Sequence, residues 1–192
     1  MKLKRRFYRL ILVLVILAGA IWKIFWSTSV QIYLYPIPHE RYVFGYAAVY
    51  DLDPYLIASV MRAESRFAHN AESGSGARGL MQVMPETAKW VAQQLKIPYH
   101  SEMLFEPKYN IMIGCYYLRE LFHVFGNNLS VVLAAYNAGQ GNVGKWLESG
   151  IWDGKQAHLD QIPFRETRVY VARVLNNYQK YQELYVGKEA SD

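Results

Sequence analysis

The sequence is poor in cysteine and in charged residues, and both shortages exclude classes of protein. Its one cysteine, Cys115, cannot form an internal disulfide and lies too far from the amino terminus to carry a lipid anchor. No spacing of His, Cys, Asp or Glu is typical of a metal site, so we expect no metal or other cofactor. Only 19% of residues are charged and 52% are apolar, which excludes a disordered chain. We expect one folded domain, with Cys115 buried inside a helix.

A nucleic-acid-binding stripe is also missing, although the formal net charge is +5. Five basic residues precede the first apolar run, and no comparable cluster follows: Lys2, Lys4, Arg5, Arg6 and Arg9. No segment resembles a nucleic-acid-binding motif. The excess charge therefore predicts membrane topology, with a cytoplasmic amino terminus, and no nucleic-acid partner.

The first 38 residues predict an anchor and a stalk. The apolar run that begins at Leu10 is long enough for a single transmembrane helix if Lys23 reaches the far interface. The small residues 18–20 allow a cleavable signal peptide as the alternative. With either an anchor or a signal peptide, the rest of the chain is predicted to be exported. We predict a cytoplasmic basic tip and transmembrane anchor over 1–27, a stalk over 28–38, a main domain over 39–185 and a tail over 186–192. The main domain is expected outside the cytoplasm, at the cell membrane.

Beyond the stalk the apolar pattern is almost entirely helical. No internal repeat and no strand pairing stands out, so the predicted fold class is all-α. A loop rich in glycine and serine is expected over 68–79, and a glycine-punctuated stretch over 139–154. The predicted helices cover 39–50, 54–64, 85–95, 107–125, 129–138 and 167–184.

Glu64 is the first candidate for chemistry. It ends an apolar helix and faces the flexible loop, where its carboxyl group can lose part of its hydration. Desolvation disfavours the charged form and raises the carboxyl pKa, as a general acid requires. By itself, a glutamate at a helix end is more often a solvated surface residue.

Two short runs strengthen the case for a site. In the run 79–82, Gly79 permits a close backbone approach, Met81 offers an adaptable apolar contact, and Gln82 can both donate and accept hydrogen bonds. In the run 135–139, an aromatic residue and an amide, Tyr136 and Asn137, again precede a glycine. The alternative interpretation of these two runs is structural: an ordinary turn and an ordinary helix end.

Four motifs in this order carry a resemblance to a known family. They are Glu64-Ser65, the run 79–82, the run 135–139, and the segment from Ile162-Pro163 through Glu166-Thr167-Arg168 to Tyr170-Val171. Their order and spacing resemble the catalytic domain of soluble lytic transglycosylases, relatives of goose-type lysozyme. The resemblance covers roughly 42–181, almost all of the predicted exported part.

The resemblance implies a helical, lysozyme-like domain with a groove for peptidoglycan glycan strands. It implies that Glu64 protonates the glycosidic oxygen between N-acetylmuramic acid and N-acetylglucosamine, and then acts as a base on the C6 hydroxyl of the muramic residue. That hydroxyl attacks its own C1, which gives a 1,6-anhydro end without water. The implied substrate-binding residues are Ser65, Gly79, Leu80, Met81, Gln82, Tyr136, Asn137 and Tyr170.

Two other functions remain open. A muramidase of the same fold would need a second carboxyl group for water, for which Glu72 and Glu86 are the nearest candidates. A glycan-binding module without catalysis would leave Glu64 fully exposed. The expected structural role of Glu86 is to favour the start of its helix through the macrodipole, and Glu72 is expected to be solvated. Glu166, Thr167 and Arg168 are expected to cap and pair at the last helix rather than touch substrate. Trp90, Trp146 and Trp152 could stack on sugars, and core packing is the expected role of Trp90.

Overall fold

The computed structural model describes residues 2–25 and 27–186, and this part of the chain divides into two units. Among the described residues, the first unit draws on 2–25, 27–36 and 183–186. It contains helix α1 (Lys2–Phe25) and the short helix α2 (Thr28–Leu34). Within it, the Tyr185 hydroxyl donates a hydrogen bond to the Tyr35 carbonyl oxygen at 2.8 Å.

Two predictions concern the amino-terminal segment: the transmembrane anchor and the stalk. None of the helices formed by residues 2–25 and 27–186 combines the length and the apolar character needed to cross a membrane, so the predicted anchor is not shown. The predicted stalk is partly helical, because α2 occupies most of it. Its helical part holds no proline, and Pro36 and Pro38 come only after it, so nothing in 28–34 opposes helix formation.

The second unit, Ile37–Gln182, contains seven α-helices among the described residues. Two 3-10 turns, Ser101–Phe105 and Gln156–Gln161, lie between them, and a π-helical turn, Gln182–Val186, follows the last helix. The described part of the chain has isolated bridges but no strand, so the all-α prediction is confirmed there. The helices are α3 (Glu40–Tyr50), α4 (Pro54–Glu64), α5 (Pro85–Leu95), α6 (Pro107–Phe125), α7 (Leu129–Ala138), α8 (Gln140–Glu148) and α9 (Arg165–Tyr181).

Local residue chemistry sets most helix starts. The Asp53 side chain caps α4 by accepting from the Tyr55 N–H at 2.7 Å, and Pro54 occupies the first helical position. Proline also opens α5 and α6. Asn128 caps α7 by accepting from the Val131 N–H at 3.3 Å. These are the starts that the sequence predicts.

The core forms around α7, whose residues from Ser130 to Ala135 are all buried. A helix that is apolar on all sides needs neighbours on all sides, and α7 packs against α6, α8 and α9. Helix α4 lies along α9, which brings the end of α4 next to the start of α9. Cys115 is fully buried in α6, as predicted.

Helix α8 was not predicted, because Gly141 and Gly144 interrupt its sequence. A glycine costs a helix about 1 kcal/mol relative to alanine. Burial of Val143 and Trp146, three residues apart on one face, compensates for that cost. Tertiary packing thus overrides the local preference.

The last helix, α9, begins two residues before its predicted start.

Candidate active site

Glu64 is the last residue of α4 and lies at one side of a cleft of about 590 Å³. The first turns of α9 form the other side, and the loop before α5 closes one end. Because α4 lies along α9, residues about a hundred positions apart in sequence share this cleft. Its walls are formed by Ala63, Glu64, Ser73, Gln82, Asn137, Arg165, Glu166, Val169, Tyr170 and Arg173.

Burial raises the pKa of the Glu64 carboxyl from its ordinary value of 4.5 to about 7. Removal of water is the largest cause, and the nearby Glu166 charge adds to it. The Tyr170 hydroxyl and the Arg173 guanidinium act in the opposite sense, because both stabilise the charged form. A substantial fraction of Glu64 is therefore neutral at neutral pH, and this carboxyl can donate a proton there.

The Tyr170 hydroxyl is buried beside Glu64. It lies close enough to lower the carboxyl pKa, but the geometry of a hydrogen bond between the two groups is incomplete, and the hydroxyl has no other partner among the described residues. A buried hydroxyl without a complete hydrogen bond destabilises the folded protein. The hydroxyl can therefore take a hydrogen bond from, or give one to, a group that enters the cleft.

The loop 71–83 folds back on itself to place Gln82 in the cleft. Arg78 and Val83 exchange two backbone hydrogen bonds of 3.0 Å, and the Gly79 N–H donates to the Ala71 carbonyl oxygen at 2.8 Å. Gly79 has a φ of +75°, and a Cβ there would collide with the Asn110 side chain. Only glycine meets both requirements, so its role here is to let the loop turn close to α6.

Asn110, a residue that the sequence analysis did not single out, anchors this loop from α6. Its Oδ1 accepts from the Met81 N–H at 2.8 Å. Its Nδ2 donates to the carbonyl oxygens of Arg78 and Leu104, each at 2.8 Å. The side chain is fully buried, so every one of these bonds replaces a lost contact with water. An asparagine directly before the apolar run 111–115 of α6 is the sequence signal for such a role.

Five of the eight residues expected to bind substrate are absent from the cleft walls: Ser65, Gly79, Leu80, Met81 and Tyr136. Leu80 and Met81 are fully buried in the core. The Ser65 hydroxyl donates to the Leu80 carbonyl oxygen at 2.8 Å and so ties the end of α4 to the loop. Met81 also packs where Gly114 leaves room for it. These side chains, together with Gly79, shape the loop, because its backbone groups are engaged by the protein itself.

Gln82, Tyr136 and Asn137 lie together where the loop meets the end of α7. Gln82 has a φ of +46°, unusual for a residue with a side chain, and its Nε2 donates to the Ala71 and Gly79 carbonyl oxygens at 3.1 and 2.9 Å. The Tyr136 hydroxyl donates to the Met81 carbonyl oxygen at 2.9 Å. Asn137 Oδ1 accepts from the Thr167 hydroxyl at 2.8 Å, which leaves its amide N–H groups for a ligand.

The second carboxyl group at the cleft is neither of the two expected. Glu72 pairs with Arg78 at 2.9 Å, and Glu86 lines a separate cavity. Glu166 lines the cleft instead, because the first turn of α9 faces the end of α4. Ser73, Arg165 and Arg173 also line it and were not predicted. Nowhere in 2–25 or 27–186 do three or more His, Cys, Asp or Glu residues cluster as metal ligands would.

The raised pKa of Glu64 makes stability depend on pH. The folded state holds this proton up to about pH 7, whereas the unfolded chain releases it near 4.5. Stability is therefore full below pH 4.5 and is lost as pH rises to about 7, by on the order of 3 kcal/mol. Glu64→Gln removes this loss, so we expect the variant to gain about that much over the native protein between pH 4 and pH 8.

Chemical denaturation at the two pH values measures the difference in the free energy of unfolding. Glu148→Gln, at an exposed carboxyl on α8, is the matched control and should follow the native protein at both pH values. Parallel pH curves for Glu64→Gln and the native protein would contradict the burial of an ionisable Glu64.

Comparison with known proteins agrees with this geometry. The chain is 43% identical over 136 residues to a protein of Haemophilus influenzae described as a putative soluble lytic murein transglycosylase, covering 68% of this chain and 22% of that protein. It is 31% identical over 155 residues to the membrane-bound lytic murein transglycosylase C of Serratia proteamaculans, covering 69% of this chain and 43% of that one.

Among solved structures, the chain resembles the 70 kDa soluble lytic transglycosylase of Escherichia coli, with a TM-score of 0.73 and 33% identity over 80% of this chain and 25% of that one. The chain thus spans about a quarter of the length of these soluble relatives.

A family model confirms the predicted resemblance. Residues 41–159, well over half of the chain, match the model described as Transglycosylase SLT domain. This range includes Glu64, the run 79–82 and the run 135–139, and it ends before α9 supplies Tyr170 and Glu166. The chain therefore belongs to the transglycosylase SLT domain family.

Proposed function

We propose that this protein is a lytic transglycosylase that cuts peptidoglycan glycan strands. The bond cut is the β-1,4 linkage between N-acetylmuramic acid and N-acetylglucosamine. The observation that carries the proposal is the Glu64 carboxyl, which sits in a cleft with a pKa raised to about 7 by burial. Family membership and the relatives named as lytic murein transglycosylases support the substrate and the reaction.

The proposed reaction uses Glu64 twice. The neutral carboxyl gives its proton to the glycosidic oxygen, so the bond from C1 of the muramic residue breaks and the N-acetylglucosamine end leaves with a hydroxyl group. The resulting carboxylate removes the proton from the C6 hydroxyl of the muramic residue. The C6 oxygen then bonds to C1, which yields the 1,6-anhydro ring and restores neutral Glu64. No water is consumed, and proximity of the C6 hydroxyl to C1 replaces a second reactant.

Neighbouring groups have defined roles in this scheme. The Tyr170 hydroxyl, which lacks a complete hydrogen bond, donates to the Glu64 carboxylate once that carboxyl has lost its proton. The Arg173 guanidinium also favours this charged state. The side-chain N–H groups of Asn137 donate hydrogen bonds to the sugars, and the side-chain oxygen of Gln82 accepts them. The site thus stabilises both protonation states that Glu64 visits.

A muramidase is the second candidate, and the observation in its favour is Glu166 in the same cleft. In that reaction Glu166 would activate a water molecule, and products would carry a reducing end. Glu166→Gln separates the two reactions. At acidic pH, where Glu64 stays neutral, a transglycosylase keeps its activity in this variant, whereas a hydrolase that uses Glu166 as its base loses it.

Mass spectrometry of the products tests the proposal. The full chain, purified in detergent, digests purified peptidoglycan, and the released fragments are analysed before and after borohydride reduction. We expect fragments lighter by one water with no reducible end. Reducible ends would establish the muramidase. If no products are released, the remaining function is a glycan-binding module. Binding of the same protein to insoluble peptidoglycan would then test that function.

We also propose that the amino-terminal segment attaches the protein to the membrane, with the second unit outside the cytoplasm. The basic cluster in the first turns of α1 and the exposed apolar side chains that follow it support this, among them Leu12, Leu17 and Ile21. Carbonate extraction of cell membranes is the test. Protein that stays in the membrane pellet supports the anchor, and release of a shortened chain would indicate a cleaved signal peptide.

A further inference from the structure

The cleft beside Glu64 continues into two further cavities. It shares Gln82 and Asn137 with a neighbouring cavity of about 250 Å³. That cavity shares Thr87 and Tyr117 with a third, of about 470 Å³. The shared residues make these three cavities neighbours on the surface, and we refer to them together as the groove, with the third cavity as its distal part. The distal cavity is lined by Glu86, Thr87, Trp90, Tyr117, Glu120, Val124 and Gln140.

A row of aromatic rings follows this groove from Tyr136 outwards. The Tyr136 and Tyr117 rings lie 5.5 Å apart, and the Tyr117 and Trp90 rings lie 6.5 Å apart at 80°. Tyr116 meets Trp90 at 6.1 Å and 64°. The two tyrosines hold the indole by edge-to-face contacts, which fix its orientation. Trp90 nevertheless remains 40% exposed, so the prediction that it packs in the core is wrong.

The polar groups around Trp90 suit a sugar. Glu86 is exposed and, within the described part of the chain, its carboxylate makes no hydrogen bond or ion pair. Gln140 is exposed beside it. A pyranose ring offers an apolar face to an aromatic ring and hydroxyl and amide groups at its rim, which match a carboxylate and an amide. Glu120, by contrast, is already paired with Arg119.

We propose that Trp90 is a stacking platform for a distal sugar of the glycan strand being cut, with Glu86 and Gln140 as hydrogen-bonding partners. The proposal rests on the proposed function, because it assigns the occupant of the same groove. In this proposal one strand runs through all three cavities, because the intermediate cavity shares lining residues with both of the others. A strand too short to pass the intermediate cavity gains nothing from Trp90.

The test compares Trp90→Ala with the native full-length protein on long glycan strands and on the shortest fragment that is cut. We expect kcat/KM on long strands to fall roughly three- to tenfold, and kcat/KM on the short fragment to stay unchanged. Trp90→Tyr should restore most of the loss, since it keeps an aromatic face. Phe44→Ala is the matched control, because Phe44 is similarly exposed at 42% but lies outside the groove. Equal losses on both substrates, or none on long strands, would overturn the proposal.

A binding measurement distinguishes a failure of this proposal from a failure of the proposed function. Sedimentation with insoluble peptidoglycan measures affinity in a Glu64→Gln background, so it needs no cleavage. A three- to tenfold weaker affinity after adding Trp90→Ala supports the platform even if the reaction differs. The same loss must persist on strands stripped of stem peptides by an amidase. If it vanishes there, the distal cavity binds peptide, and the sugar platform is wrong.

Discussion

Replacement of Glu64 by Gln lowers the rate of glycan cleavage by about a thousandfold, the size expected when a general acid is removed. The glutamine keeps the shape of the side chain but can neither give nor take the proton that each half of the proposed reaction requires. Release of anhydro-ended fragments, followed by mass spectrometry over time, measures the loss. A variant that retains a tenth of the native rate would exclude Glu64 as the acid.

The pH dependence of the native protein gives an independent check on the same residue. Only the neutral carboxyl can protonate the glycosidic oxygen, so the rate falls as pH rises through about 7. Glu166→Gln removes a charge that raises the Glu64 pKa, so the fall should begin at a lower pH in that variant. An unchanged profile would mean that another group controls the proton transfer.

Asn110→Ala has the largest expected effect on folding. The change leaves the Met81 N–H and the Arg78 and Leu104 carbonyl oxygens buried without their partner, and each such group costs about 1 to 3 kcal/mol. We expect a loss of about 4 kcal/mol in the free energy of unfolding and a thermal midpoint lower by about 10 °C. Calorimetry or circular dichroism during heating measures it.

Activity at low temperature adds a second measure for Asn110. The loop that this residue anchors carries Gln82 into the cleft, so the folded fraction of Asn110→Ala should also cut glycan more slowly than the native protein. Asn142→Ala is the matched control, because Asn142 is exposed and makes one local bond, to the Ala138 carbonyl oxygen. Equal stability of the two variants would show that the loop does not depend on its anchor in α6.

The sequence predicted correctly what depends on neighbouring residues. Asp53 with Pro54, Pro85 and Pro107 mark helix starts that the structure contains, because a cap or a first-turn proline acts within three residues of itself. The sequence analysis placed Glu64 at the end of an apolar helix, and the order of the four motifs identified the family. Apolar periodicity was enough for the all-α class, since it reports the buried face of each helix directly.

Contacts distant in sequence decided the rest. The three tryptophans look alike in sequence, yet Trp152 is fully buried, Trp146 is 6% exposed and Trp90 is 40% exposed, because exposure depends on which helices pack over each one. Met81 and Leu80 lie in the core and not in the walls of the Glu64 cleft, and Glu166 reaches the cleft only because α4 and α9 lie side by side. Local sequence patterns were enough to predict the fold class, the family and the candidate acid. Which side chains surround that acid could not be predicted in this way, because it depends on how helices far apart along the chain come together in space.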